Sequence, residues 1–69
     1  MACFGSRLKE LRITRGLTLD NVAKSTGTSK QALFQIERGI YIPNPQLMVA
    51  LADFFDVSLD YLFGRKPLL

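Results

Sequence analysis

Apolar residues along this chain recur at helical rather than strand spacing. Phe4, Leu8 and Leu11 repeat with Arg7, Lys9 and Arg12 between them, and Gly16 closes the pattern, which predicts a first helix. Thr18 is a suitable N-cap for a second helix, with Asp20 placed favourably in its first turn. That helix stops at Gly27, where the left-handed backbone is easiest for glycine. Ser29 stands at the cap of a third helix running to about Arg38, before Gly39. Asn44 followed by Pro45 opens a fourth through Phe55, and Ser58 caps a short fifth ending at Gly64. No alternating pattern of a strand, no repeat and no low-complexity stretch interrupts these segments. The expected fold is all-α, with five helices in one compact domain over residues 1–69.

The run Leu17–Gly39, LTLDNVAKSTGTSKQALFQIERG, gives the second and third helices a special relation. Two short helices joined by a tight turn at Gly27 are the sequence shape of a helix-turn-helix, here about residues 18–38. The helices must approach closely near Ala23, where a large side chain would hold them apart. Val22, Ala23, Leu33 and Ile36 fall on the inward faces, against Leu8, Leu11 and Leu17. Lys30, Gln31, Phe34 and Gln35 share the outward face of the third helix. Glutamine amides bond adenine N6 and N7, lysine bonds guanine O6 or N7, and a phenylalanine ring can press on a thymine methyl. Exposed Gln and Lys are also ordinary helix-surface residues, and a lone aromatic is often a satellite core contact. Position on the second helix of a tight two-helix motif favours base reading for the polar residues, while Phe34 stands open between the two roles.

Charge follows the same division. The 69 residues carry a formal net charge of +3. Residues 1–38 hold seven Lys and Arg against three Asp and Glu, whereas residues 39–69 hold two against three. The half with the motif is therefore the basic half, as expected for contact with an anionic duplex. Arg7, Lys9 and Arg15 on the first helix suit phosphates or simple solvation, and free N–H groups at the starts of the second, third and fourth helices suit phosphates without side-chain help.

Composition narrows the chemistry. There is no His, and Cys3 is the only cysteine, so no internal disulfide, cysteine-based zinc site or His-dependent triad can form. No carboxylate pair stands at a recognisable catalytic spacing, and we expect neither enzyme nor bound metal or cofactor. No apolar run reaches the ~18 residues of a membrane span, and MACFGSRLKE lacks the apolar stretch of a signal peptide. A cytoplasmic protein is expected. Cys3 reads as a free thiol near a frayed end. The fourth helix is apolar on more than one side: Met48, Leu51, Ala52 and Phe55 make one face, leaving Val49, Ala50 and Phe54 beyond it. With Ile40, Tyr41, Ile42, Phe63, Leu68 and Leu69, this surplus suggests a homodimer, and Val49, Phe54, Phe63, Leu68 and Leu69 are the interface candidates. The alternative is that a five-helix core absorbs most of it.

RLKELRITRGLTLDNVAKSTGTSKQALFQIERG, with a proline-containing loop and ADFFDVSLDYLFG, resembles the lambda-repressor-like, Cro/C1-type (Xre) transcriptional regulators over roughly residues 4–64. The resemblance implies a five-helix domain that binds double-stranded operator DNA, usually as a dimer on an inverted repeat. It carries base reading onto Lys30, Gln31 and Gln35, and phosphate contacts onto Ser29 and the start of the second helix at Thr18. Arg7, Arg38, Tyr41 and Asn44 complete the expected backbone contacts. Arg12 and Glu37 face each other if the first helix packs beside the third, a pair bracing the recognition helix rather than two separate surface charges, and the family's buried ion pair between those helices falls on the same two residues. Three positions depart from the pattern. Leu19 replaces a glutamine that touches the backbone, Thr26 and Thr28 replace larger aliphatics at the turn, and Ile40-Tyr41-Ile42 replaces a basic loop. Weaker backbone affinity is the expectation. A regulator, most simply a repressor, is the expected function, with no small-molecule effector evident; a protein-interaction module or antitoxin component with an apolar partner surface is the rival.

Overall fold

A computed structural model describes residues 3–65. Five helices follow in order: α1 Cys3–Thr14, α2 Leu19–Thr26, α3 Lys30–Glu37, α4 Pro45–Phe55 and α5 Leu59–Leu62. No strand occurs among the described residues. Helix α1 packs on α3 and α5, α2 on α3 and α4, and α4 on α5.

The helix ends are where the sequence punctuates them. Thr18 Oγ1 accepts from the Asn21 N–H at 3.0 Å, and Asn21 Oδ1 accepts from the Thr18 N–H at 3.2 Å, a reciprocal capping box. Ser29 Oγ accepts from the Ala32 N–H at 3.0 Å, Asn44 Oδ1 from Leu47 at 2.8 Å, and Ser58 Oγ from Tyr61 at 3.0 Å. Helix α3 closes through Gly39 at φ 78°, with the Ile40 N–H donating to the Gln35 carbonyl at 2.9 Å and the Gly39 N–H to Ile36 at 3.0 Å. Helix α4 uses the same closure without glycine: Asp56 takes the left-handed conformation at φ 57°, which Asp tolerates better than most residues.

One core joins all five helices. Leu8, Leu33, Leu51, Phe55, Leu62 and Val22 are fully buried, with Leu11, Ala23, Ile36, Ala52 and Tyr61 nearly so. The inward residues expected on α2 and α3 are all in this cluster, and Leu17 packs against it half-buried. Gly5 is also buried, because α1 crosses the end of α3 so closely that a Cβ there would collide with the Ile36 carbonyl oxygen and stand 2.8 Å from that of Glu37. Cys3 begins α1 as a half-buried free thiol. Gly64 passes close beside it, so that a Cβ added there would stand 3.2 Å from Cys3 Sγ.

The apolar surplus divides. Phe54 is half-buried, packed against the core with its ring edge-on to Phe55 at 4.9 Å between centroids, so the core covers part of this expected interface residue. Val49 and Phe63 stay exposed, as do Ile40, Tyr41 and Ile42, with Ile42 at 79% of its full accessibility. Leu68 and Leu69 lie outside the described residues. Among the described residues, no helix is long and apolar enough to cross a membrane, and no cluster of potential metal ligands occurs.

Candidate nucleic-acid interface

The third helix has a fixed side and a free side. On the fixed side, Leu33 and Ile36 are in the core and Glu37 is 8% exposed. The Arg12 guanidinium holds Glu37 through two donors: Nε to Oε2 at 2.7 Å and Nη2 to Oε1 at 3.0 Å. Its third nitrogen, Nη1, donates to the Leu17 carbonyl at 3.0 Å. A bidentate arginine–carboxylate pair fixes orientation as well as distance. With side-chain exposures of 14% and 4%, the pair has little water to compete with it. It therefore ties the end of α3 to α1 and to the residue before the α2 cap.

The free side carries Lys30, Gln31, Phe34 and Gln35, all exposed. None of the three polar side chains makes a hydrogen bond among the described residues, consistent with groups that present donors and acceptors outward. The turn between α2 and α3 depends on Gly27 at φ 80°, with the Gly27 and Thr28 N–H groups both donating to the Ala23 carbonyl. Thr26, at a position where a larger aliphatic was expected from the resemblance, directs its hydroxyl to the Val22 carbonyl at 2.8 Å. The corner is closed by a hydrogen bond in place of bulk.

Two surfaces flank α3. One is a cationic depression where α1 meets the end of α3, lined by Ser6, Arg7, Lys9, Glu10, Ile13, Glu37 and Arg38. It brings Arg7 and Arg38 together, while Glu37 on its wall is already paired with Arg12. Arg7 is partly buried, its Cζ 4.7 Å from the centre of the Tyr61 ring, which aims the guanidinium while leaving its charge intact. Arg38 stacks in the same way over Phe34 at 5.4 Å. The other flank is neutral and polar, formed by Thr26, Gly27, Thr28, Tyr41, Asn44, Gln46 and Leu47. It gathers Tyr41 and Asn44 beside the inter-helix turn. Thr18, Ser29 and Asn44 each spend a side-chain oxygen on one first-turn N–H of α2, α3 and α4, and the other N–H groups of those turns lack intrahelical partners. Arg15 lies instead over Phe55, 5.4 Å from its ring centre, on the α4 side.

This arrangement is a helix-turn-helix braced by an outer helix. The helix-turn-helix family model matches residues 8–62. The chain belongs to the Cro/C1-type helix-turn-helix family. Membership makes it a DNA-binding regulator rather than an enzyme. It is 36% identical over 58 residues to the uncharacterized HTH-type transcriptional regulator MJ0272 of Methanocaldococcus jannaschii, covering 84% of this chain and 88% of that protein. It is 34% identical to the uncharacterized HTH-type transcriptional regulator YazB of Bacillus subtilis, covering 86% of each. The HTH-type transcriptional activator BcrR of Enterococcus faecalis is 29% identical over 96% of this chain, which spans only 32% of that longer protein. No solved structure matches the chain.

Gly5 and the two arginine–aromatic stacks are the site-forming features that sequence reasoning passed over. An isolated glycine inside a helical pattern was the available signal for the first. The i, i+4 spacing of Phe34 and Arg38 was the signal for one stack; nothing local pointed to Arg7 and Tyr61.

Proposed function

We propose that residues 1–69 act as one DNA-binding domain that reads a double-stranded, inverted-repeat operator as a homodimer. Lys30, Gln31 and Gln35 reach base edges in the major groove. Arg7 and Arg38 on the cationic flank, and Thr18, Ser29, Tyr41 and Asn44 with the helix N-termini, contact the phosphate backbone. The observation that carries this reading is the unpartnered Lys30–Gln31–Gln35 face on a helix whose opposite side is locked by Arg12–Glu37. A dimer on successive major grooves would set its two α3 helices about 34 Å apart.

Self-association is supported by an apolar groove of about 260 Å³ bordered by Phe4, Tyr41, Ile42, Pro43, Met48 and Phe63, with exposed Ile40 and Val49 extending the apolar surface. Among the described residues no charged side chain lines it, so two copies can meet there without juxtaposing like charges from those residues. Occupying an operator that overlaps a promoter blocks transcription without a further domain, and repression is the mode we propose; the cytoplasm, where such a site would be met, is the proposed location.

Selection of binding sites from a random duplex pool tests the reading, with a Gln31→Ala, Gln35→Ala double variant run in parallel. A palindromic motif that degrades in the variant is the expected result. No enrichment at low salt would leave a protein partner for the apolar groove as the surviving function, and transcription in vitro across the selected site separates repression from activation.

A further inference from the structure

Phe34 is the one large apolar side chain on the outward face of α3, 48% exposed, and it is not among the residues packed on the core. A single exposed ring is ordinary on a protein surface; what distinguishes this one is its place among the exposed Lys30, Gln31 and Gln35 side chains and the guanidinium beside it. One face is already occupied: the Arg38 guanidinium lies 5.4 Å from the ring centre, one helical turn on. Arg38 itself is exposed and makes no ion pair among the described residues. Its reach is thus set by the ring beneath it. The ring stands between Lys30 and Arg38, one turn from each, and three residues from Gln31.

On the reading that α3 enters the major groove, we propose that Phe34 and Arg38 work as one specificity unit. The Phe34 ring edge meets the C5-methyl group of a thymine. Its face holds the Arg38 guanidinium toward the neighbouring phosphate. Phenylalanine is suited to the first task because the thymine methyl is the apolar mark that distinguishes this base in the groove. Stacking suits the second because a planar cation over a ring face keeps all its N–H donors in the plane, free for phosphate oxygens. The unit would give the protein a thymine preference that neither glutamine supplies.

The test uses a duplex site selected by the full chain, with each thymine replaced in turn by uracil, which removes only the methyl group. At one thymine per half-site, methyl removal should weaken the wild type about fourfold, the worth of one buried methyl group. The same replacement should leave Phe34→Ala unaffected. Phe34→Leu keeps apolar bulk and should retain the uracil penalty, while losing the stack. Arg38→Ala should weaken binding to all duplexes and lower the salt slope by about one phosphate contact. Combined with Phe34→Leu, its loss should be smaller than the product of the two separate losses. An equal uracil penalty in wild type and Phe34→Ala overturns the proposal, as do independent effects of Phe34→Leu and Arg38→Ala. Enrichment of a site that is indifferent to uracil sinks this inference alone. Absence of any salt-sensitive duplex binding sinks it together with the reading it rests on. Phe34 is exposed, so these variants should keep the helical circular dichroism and melting temperature of the parent.

Discussion

The two sides of α3 share eight residues and almost nothing else. Inward, Leu33, Ile36 and Glu37 have lost nearly all contact with water, and the charged one is gripped by a bidentate arginine. Outward, Lys30, Gln31, Phe34 and Gln35 are exposed, and of these only Phe34 has a side-chain partner assigned. The difference teaches that recognition requires two kinds of residue with opposite needs. Residues that contact a ligand must keep their hydrogen-bonding capacity unspent. Residues that aim them must spend theirs completely, because a donor half-satisfied in the interior is costly. Perturbing the inner side should therefore change how much protein is folded, and perturbing the outer side should change what the folded protein prefers.

The largest effect is expected from Arg12→Ala. It leaves Glu37 as an unpaired buried carboxylate, and breaking such a pair costs about 3–5 kcal/mol, most of the stability available to a chain of this size. Urea denaturation followed by circular dichroism should find the variant largely unfolded at 25 °C; a midpoint within experimental error of the parent would show that the pair does not hold α3. Gly5→Ala attacks the same side through sterics. Its new Cβ meets backbone carbonyls that cannot rotate away, so α1 must shift on α3, at about 1–3 kcal/mol for overpacking. Unchanged thermal stability would mean that the crossing is looser than described.

Gln31→Ala and Gln35→Ala sharpen the comparison from the other side. Each should cost about 1–3 kcal/mol of binding to the selected site and relax preference at one base pair, with no change in melting temperature. A drop in stability comparable to the drop in binding would assign these residues to the scaffold. The smallest effect belongs to Lys24→Ala. Lys24 Nζ stands 3.2 Å from Asp20 one turn earlier, both largely exposed, and such a pair contributes about 0.3–0.5 kcal/mol. Comparing its midpoint shift with that of Arg12→Ala measures what burial adds to the same chemistry.

The elements were legible because their ends are written locally. Thr18, Ser29, Asn44 and Ser58 start helices and Gly16, Gly27, Gly39 and Gly64 finish them, each acting within a few residues of itself. The Arg12–Glu37 pair, twenty-five positions apart, was legible only once the first helix is placed beside the third, where packing and the family resemblance point to the same two residues, since no local rule relates them. Gly5 escaped for the same reason: its meaning lies in the distance between α1 and the carbonyls of α3. Asp56 ends α4 in a conformation usually given to glycine, and nothing in its neighbours announces it. Phe54 is half-covered, because periodicity on one helix says which faces exist, whereas the packing of the whole core decides how much of each is covered.

Arg12 lies outside the two-helix motif, yet its three nitrogens bond the residue just before the motif and the last residue of α3. The motif is thus not a portable part. Moved to another scaffold as residues 18–38, it would carry its outward side chains and leave behind the clamp that holds the helix bearing them. The smallest transplantable unit that keeps the clamp is α1 through α3, and on the proposed reading a change in α1 would retune recognition without altering a single residue on the outward face of α3.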